Sequence, residues 1–159
     1  MLNNFRMLKI YKPNLEDLWF REKILNDKET MSYNNRWGGT ISFRKEKWES
    51  WFDYWIANPD NKRFYGYLVN ENNEFVGEIA YHFDGKHYLA NIIVFAAFRH
   101  KGYGNEGLNM LCDKAKEDGI KEIYDDIAID NPTIKMFLSH DFVEIYRTDE
   151  IIMLKKDLF

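Results

Sequence analysis

The spacing of hydrophobic residues along this chain predicts an alternation of strands and helices. Short runs rich in β-branched and aromatic residues, bounded by turn residues, are typical of strands. Such strands are predicted at 6–11, 63–69, 75–83, 88–94, about 121–129, 142–147 and 151–155. Because only the polar turn 70–73 separates the second strand from the third, we expect these two to form a hairpin.

Four other segments space their hydrophobic residues three and four apart, which predicts helices. Asn14 and Ser42 can cap the first two helices. Gly119 ends the third, and Asn131-Pro132 opens a short fourth helix that reaches about His140. The side chains expected to face inward are Leu15, Leu18, Trp19 and Leu25 in the first helix, Trp48, Trp51, Phe52, Trp55 and Ile56 in the second, and Leu108, Leu111, Cys112 and Ala115 in the third.

Two aromatic features have a structural and a functional interpretation. The aromatic face of the second helix favours core packing over a ligand-binding stripe. Between the first two helices, segment 26–40 has no clear period and contains the loop Trp37-Gly38-Gly39-Thr40. This loop is equally compatible with the wall of a substrate pocket and with packing over the core.

The order of these elements predicts the fold class. It runs strand, two helices, three strands, helix, strand, helix and two strands, without linkers, repeats or low-complexity segments. At 159 residues, the chain is expected to form a single domain over 1–159. Such an order implies an α/β (α+β) fold with a mixed sheet and helices on both faces, and it excludes an all-parallel doubly wound sheet and a sandwich.

Composition narrows the class of function. The net charge of −4 provides no overall basic footprint for nucleic acid and fits a cationic small substrate slightly better than an anionic polymer. Cys112, the single cysteine, is expected to be a buried core residue. No apolar run approaches the roughly 20 residues of a membrane span, and the start of the chain lacks the layout of a secretory signal. We therefore expect a cytoplasmic protein without a membrane partner, and we predict no metal site.

The segment Arg99-His100-Lys101-Gly102-Tyr103-Gly104 is the strongest functional signal in the sequence. It places a glycine-rich turn at a helix start, where the first amides lack partners and the helix dipole is positive. Such a turn is suited to phosphate. The sequence therefore predicts a phosphorylated cofactor.

The same turn fits the dinucleotide fingerprint G-x-G-x-x-G through Gly102, Gly104 and Gly107, with Asp125 about 20 residues further on. Its context argues against a dinucleotide-binding oxidoreductase. Residues 95–101 separate the turn from its strand, and too few strand-helix alternations follow to build a dinucleotide fold.

The residues around the turn resemble the cofactor signature of the GNAT superfamily of N-acetyltransferases, Arg or Gln, two residues, Gly, one residue, then Gly or Ala. Asn131 to Phe142 resembles the superfamily's second signature, and the element order resembles the GNAT order. The resemblance implies a mostly antiparallel, twisted sheet of about six or seven strands and acetyl-CoA as cofactor. It also implies splaying at the Ile93–Val94 strand, with a backbone N–H near Val94 as oxyanion donor. The cofactor contacts that it implies are Ile93, Val94, Arg99, His100, Lys101, Gly102, Tyr103, Gly104, Asn105 and Asn131.

The catalytic groups are less clear, because Phe137 stands where many GNAT enzymes carry the tyrosine that protonates the leaving thiol. Tyr124 or Tyr146 could replace it if either reaches the cleft, and thiolate release without an acid is the alternative. A general base must remove a proton from an ammonium whose pKa is near 10.4. Its candidates are Glu78, His82, Asp125 and Asp126, of which we favour Asp126 and Glu78.

These observations together predict an enzyme that moves an acetyl group from acetyl-CoA to a primary amine of a small molecule or peptide, by direct attack in a ternary complex. The alternatives are an acyl-CoA-binding or regulatory module without catalysis, and the dinucleotide-binding oxidoreductase. The resemblance implies that the acceptor is chosen by the first two helices, their connecting loop and the late strands, here 26–40 and 144–151, which carry no signature that names the amine. The many aromatic residues leave room for a homodimer interface.

Overall fold

A computed structural model describes residues 7–159, and within them seven strands form one sheet. The strands are β1 (Lys9–Tyr11), β2 (Arg63–Val69), β3 (Phe75–Phe83), β4 (Tyr88–Val94), β5 (Glu122–Ala128), β6 (Val143–Arg147) and β7 (Ile151–Asp157). Their order across the sheet is β1-β2-β3-β4-β5-β7-β6. All neighbours pair antiparallel except β4 and β5, which are parallel. The predicted fold class and the predicted hairpin are confirmed.

Four α-helices accompany the sheet in the described part of the chain. They are α1 (Trp19–Leu25), α2 (Trp48–Phe52), α3 (Tyr103–Glu117) and α4 (Ile134–Ser139). Short 3-10 turns precede α1 at Leu15–Leu18 and α2 at Lys45–Lys47, and a π-helical turn, Asp53–Ala57, extends α2. None of the helices described over 7–159 is long and apolar enough to cross a membrane.

Each face of the sheet buries its own hydrophobic cluster. Helix α3 contributes Leu108, Leu111 and Ala115, all fully buried, to the cluster on one face. The cluster on the other face includes Leu18, Ile24 and residues of β2, with the aromatic side chains of α2 packed against it. Helices therefore cover both faces, as the element order predicts.

The first third of the chain departs from the predicted helices. The 3-10 turn at Leu15–Leu18 has about three residues per turn, so the apolar stripe changes phase. Leu18 and Leu25 are buried as expected, whereas Leu15 is 38% exposed and Trp19 49% exposed, so their inward placement was wrong. Helical structure after Ser42 begins only at Lys45, and Arg6, the first residue of the predicted strand 6–11, lies outside the described residues. The aperiodic segment contains a 3-10 helix, Thr30–Trp37.

Two glycines allow close packing at the centre of the fold. A Cβ at Gly107 would lie 2.8 Å from Cδ1 of Leu68 and 3.0 Å from Cδ1 of Ile92, so its absence lets α3 approach the sheet. A Cβ at Gly77 would lie against the carbonyl oxygen of Ile93. Gly107, the third glycine of the apparent dinucleotide fingerprint, therefore has a packing role between α3 and the sheet.

Candidate active site

A large cleft opens where the sheet divides between its two parallel strands. β4 and β5 are paired only at Leu89 and Tyr124, near the start of each strand. Beyond this pair the two strands diverge, and a cavity of about 1010 Å³ lies at the divergence. Elements from both faces of the sheet line the cleft.

The backbone of β4 presents a free donor to this gap. The amide of Phe95 donates to the carbonyl of Val76 on the β3 side, at 2.9 Å. Because successive amides of a strand point to opposite sides, the N–H of Val94 faces the β5 side, where none of the described strands pairs with it. Val94 therefore offers an amide to the cleft, as the resemblance implies.

The glycine turn forms one end of the cleft. Gly102 has φ of +85° and His100 has φ of +65°, a left-handed conformation that glycine adopts without strain. Helix α3 begins at Tyr103, and its first backbone bond in this turn runs from Glu106 to the carbonyl of Gly102, at 3.2 Å. The amides of the preceding helical residues have no acceptor within the helix. The turn thus has the geometry of an anion site.

Nearly all the predicted cofactor contacts lie in this cleft. The residues of that prediction which line it are Ile93, Val94, Arg99, His100, Gly102, Tyr103, Gly104, Asn105 and Asn131. Lys101 is exposed and does not line it.

Two of these side chains have structural partners that the sequence did not reveal. The guanidinium of Arg99 donates to the carbonyl oxygens of Glu29, at 3.2 Å, and Thr30, at 2.8 Å. It thereby fastens the loop before the glycine turn to segment 26–40. Oδ1 of Asn131 accepts hydrogen bonds from the amide of Thr133, at 2.9 Å, and from its hydroxyl, at 2.8 Å, which holds the turn that leads into α4.

Glu78 is the most enclosed carboxylate of the cleft, with 1% of its side chain exposed. Nη1 of Arg21 lies 2.6 and 2.7 Å from its two oxygens, and the Tyr65 hydroxyl donates to Oε1 at 2.8 Å. The Asn91 amide approaches Oε2 at 3.4 Å. Burial opposes the charge of Arg21, but the Glu78 carboxylate raises the guanidinium pKa above its ordinary value. Glu78 is therefore held as one half of a buried ion pair.

The two adjacent aspartates of β5 have different surroundings. Asp126 is exposed at the rim of the cleft, whereas Asp125 is half-buried in its lining. Burial, followed by the charge of Asp126, raises the pKa of Asp125 well above its usual range, and a hydrogen bond from the Asp126 amide opposes this. The more enclosed aspartate is thus the one that sequence reasoning did not favour.

The half of the cleft beyond the glycine turn is hereafter called the acceptor half, and it is lined by Arg21, Tyr33, Trp55, Glu78, His82 and Asp125. Burial raises the pKa of Tyr33 to about 12, with smaller contributions from Glu78 and Asp125. Sequence reasoning missed Arg21 and Tyr33. Neither belongs to a motif, and each lies in the cleft only because its helix packs against strands that are distant in the sequence. Trp37 lines the cleft and is 50% exposed, which favours the pocket-wall interpretation of its loop.

Comparisons with known proteins bear directly on the chain's family. The family model described as the acetyltransferase (GNAT) family matches residues 20–142, more than three quarters of the sequence. The chain belongs to the GNAT family. It is therefore an acetyl-CoA-dependent N-acetyltransferase, with acetyl-CoA as its cosubstrate.

Solved structures with the same fold include several acetyltransferases. A spermidine N-acetyltransferase from Vibrio cholerae, in complex with CoA and spermine, superposes with a TM-score of 0.80 at 17% identity, over 96% of each chain. An N-acetyltransferase from Staphylococcus aureus Mu50 gives 0.75 at 21% identity, over 96% of this chain and 99% of that one. The structure of yncA from Salmonella typhimurium with its cofactor acetyl-CoA gives 0.72 at 19% identity, over 97% and 95%. A comparison with curated protein sequences gives no match.

The residues of this GNAT chain fit the cosubstrate. Gly102 takes a φ of +85°, and a Cβ added there would meet nothing within 4 Å, so the turn is open to a phosphate group at this position. A Cβ at Gly104 would lie 3.2 Å from Sδ of Met136, so this glycine lets the start of α3 pack closely against Met136. This fit and the family together exclude the dinucleotide interpretation of the three glycines.

The tyrosine hydroxyls proposed as general acids do not reach the GNAT cleft. Phe137 is 2% exposed and packs edge-on against Phe142, with ring centroids 4.9 Å apart. Tyr124 stacks on His87 and donates to Glu122 at 2.9 Å. Tyr146 lies on the outer strand β6, 49% exposed, and does not line the cleft, so the structure corrects its assignment as a catalytic residue.

Proposed function

We propose that this enzyme acetylates the primary amine of a small molecule or peptide, by direct attack of the amine in a ternary complex. The observation that carries the proposal is a single cleft that joins the glycine turn to the carboxyl of Asp125 across the gap between β4 and β5. Both reactants of an acetyl transfer can enter this cleft together. When bound, acetyl-CoA supplies the acetyl group as an activated thioester.

We assign the general base to Asp125. An aliphatic ammonium has a pKa of about 10.4, so its proton must be taken up before the nitrogen can attack. A base works best when its own pKa approaches the working pH, and burial moves Asp125 in that direction. Its hydrogen bonds in the described structure include no side-chain donor, so its oxygens are available to a substrate ammonium or to water.

Glu78 is assigned a positioning role. Both of its oxygens already accept hydrogen bonds, and the Arg21 guanidinium balances its charge. The two charges are thus already paired, and losing either partner would leave the other buried alone. Glu78 therefore holds Arg21 and Tyr65 in the lining of the acceptor half.

The remaining groups of the proposed reaction are backbone amides. The N–H of Val94 faces the gap and is available to an acyl oxygen, where donors stabilise developing negative charge. The free amides of Tyr103, Gly104 and Asn105 are available to phosphate. With phenylalanine at position 137, this position supplies no hydroxyl to the departing thiol.

Turnover assays on matched variants test the proposal. Thiol release from acetyl-CoA is measured with a panel of amines, for the wild type, Asp125→Asn and Asp126→Asn. We expect Asp125→Asn to lower kcat/KM by about 10²- to 10⁴-fold, the usual contribution of a general base, and Asp126→Asn to lower it at least tenfold less.

Acetyl-CoA should still raise the melting temperature of both variants, because the glycine turn is unchanged. A larger loss of kcat/KM in Asp126→Asn than in Asp125→Asn would instead assign the general base to Asp126, the aspartate favoured from the sequence. Binding of acetyl-CoA without turnover of any amine would instead support the non-catalytic acyl-CoA-binding module.

A further inference from the structure

An aromatic surface forms one side of the acceptor half. Trp55 stacks on Trp51 with centroids 6.1 Å apart and an interplanar angle of 24°, and it meets His82 edge-on at 5.9 Å. Behind them, the buried ring of Tyr65 lies edge-on to Trp51 at 4.7 Å. The π-helical turn that extends α2 carries Trp55, and β3 carries His82. We call Trp51, Trp55, Tyr65 and His82 the aromatic wall.

The contacts of the aromatic wall hold its exposed rings in place. Among residues 7–159, the indole of Trp55 packs against four other rings, including Tyr54 and Tyr65 with centroids 6.2 and 6.3 Å away. The guanidinium carbon of Arg21 lies 4.5 Å from the ring centroid of Trp51. Trp51 and Trp55 nonetheless remain half-exposed and line the cleft. The wall is therefore an ordered apolar surface open to a ligand.

The 3-10 helix Thr30–Trp37 adds further rings to the cleft lining. Tyr33 is half-buried there, and Trp37 is half-exposed. Arg99 fastens the start of this segment through the carbonyls of Glu29 and Thr30. Two separate parts of the chain thus bring aromatic side chains to one cavity, which favours a ligand with a planar apolar body.

Some carboxylates of the cleft are already engaged in ion pairs with arginine residues. Those in its described lining are Glu78, Asp125, Asp126 and Asp130. Glu78 is bound to Arg21, and Asp130 lies 3.5 Å from Arg36. Two adjacent aspartates on a single strand therefore remain for cationic groups. Of these two, Asp126 is exposed at the rim and Asp125 is the one enclosed in the lining, so they provide one enclosed carboxylate for an ammonium, whereas a polyamine would bring further cations.

We propose that the acceptor is a primary monoamine with a planar apolar body, of the aryl-alkyl amine class. The inference rests on the proposed N-acetyltransferase function and specifies its substrate class. The ammonium group meets Asp125, and the planar body lies against Trp55 of the aromatic wall. The acceptor thus differs from the polyamines of the structural neighbour from Vibrio cholerae.

Competition among defined amines tests this proposal. Acetylated products of 2-phenylethylamine, tryptamine, propylamine and spermidine are quantified with the full-length enzyme and acetyl-CoA. We expect kcat/KM for the two aryl amines to exceed that for propylamine and for spermidine by at least about tenfold. Trp55→Ala should remove this preference, because it should lower kcat/KM for the two aryl amines at least about tenfold more than for propylamine. Trp55→Phe, which keeps a ring and serves where the alanine variant does not fold, should retain most of it.

Trp19→Ala is the matched control, because Trp19 is 49% exposed and lies outside the cleft lining. Its preference among the four amines should equal that of the wild type. A preference for spermidine, or an equal loss for every amine in Trp55→Ala, overturns the substrate class and leaves N-acetyltransfer intact. Failure of all amines, with acetyl-CoA still bound, contradicts the proposed function itself.

Discussion

Replacing Glu78 by glutamine tests the buried ion pair at the base of the acceptor half. The exposed side-chain fractions are 17% for Arg21 and 1% for Glu78. Glutamine keeps the shape of the side chain and one acceptor oxygen but removes the charge. The Arg21 guanidinium then remains among Phe43, Trp51 and Tyr65 without a counter-charge.

The expected cost follows from this burial. Removing one partner of a buried ion pair costs about 3–5 kcal/mol, because the other charge stays desolvated. Whole domains are stable by only about 5–15 kcal/mol. At the lower value of about 3 kcal/mol, a chain of this size would lose about 6–12 °C of melting temperature.

Urea unfolding of the wild type and Glu78→Gln, followed by tryptophan fluorescence and far-UV circular dichroism, measures the cost. Glu144→Gln is the control, because it breaks the ion pair with Arg147 on the solvent-exposed strand β6 and should leave stability unchanged within error. The single variant Arg21→Met and the double variant Arg21→Met/Glu78→Gln complete the cycle, and the double variant should recover part of the loss, since no buried charge is then left alone.

Two outcomes would refute this reasoning. One is a Glu78→Gln cost no larger than that of the exposed control. The other is a double variant whose loss equals the sum of the two single losses, which would mean that Arg21 and Glu78 do not interact energetically.

Three further predictions concern the cleft and the core. Because burial raises the pKa of Asp125, the folded protein binds the proton of this carboxyl more tightly than the unfolded chain does. The resulting stabilisation is fully present below the unfolded pKa of about 3.9 and is lost as the pH rises through the pKa of the folded state. Urea unfolding should therefore show Asp125→Asn gaining stability relative to wild type from pH 4 towards 7, and a pH-independent difference would contradict this. Gly102→Ala places a side chain at φ +85°, so it should cost at least about 1 kcal/mol in urea unfolding and weaken acetyl-CoA binding in calorimetry, whereas unchanged affinity would argue against the turn as the phosphate site. Burial raises the pKa of the Cys112 thiol to about 11, so at pH 8 Ellman's reagent should react with the protein only in urea, and fast reaction of the native protein would place the thiol outside the core.

Much of the fold could be predicted because its strands have strong local patterns. The predicted bounds of β2, β3 and β4 agree with the structure residue for residue. The start of α3 and the position of the glycine turn were also predictable, since a glycine with positive φ at a helix start depends on a few neighbouring residues. The helices before β2 were less predictable, because 3-10 and π turns shift the phase of an apolar stripe.

The proposed general base, Asp125, shows what cannot be predicted from the sequence. Strand alternation says that Asp125 and Asp126 face opposite sides, but it does not say which side is enclosed. The divergence of β4 and β5 decides this, and a divergence between two strands is a property of the sheet. Arg21 and Glu78 are likewise 57 positions apart and meet only because α1 packs over β3.

By itself, the sequence determined the order of elements, the two-faced sheet and the position of the glycine turn, because each depends on side-chain spacing and backbone freedom within a few residues. The tertiary structure alone decided which aspartate is desolvated, that Glu78 is held by Arg21, and that Arg99 fastens segment 26–40. These are contacts between distant segments, and burial and charge pairing there depend on how the strands and helices are assembled. The aromatic residues of α2 depend on both the sequence pattern and the tertiary structure. Their spacing predicted a common face, whereas the open cleft beside β3 leaves part of that face accessible to a ligand.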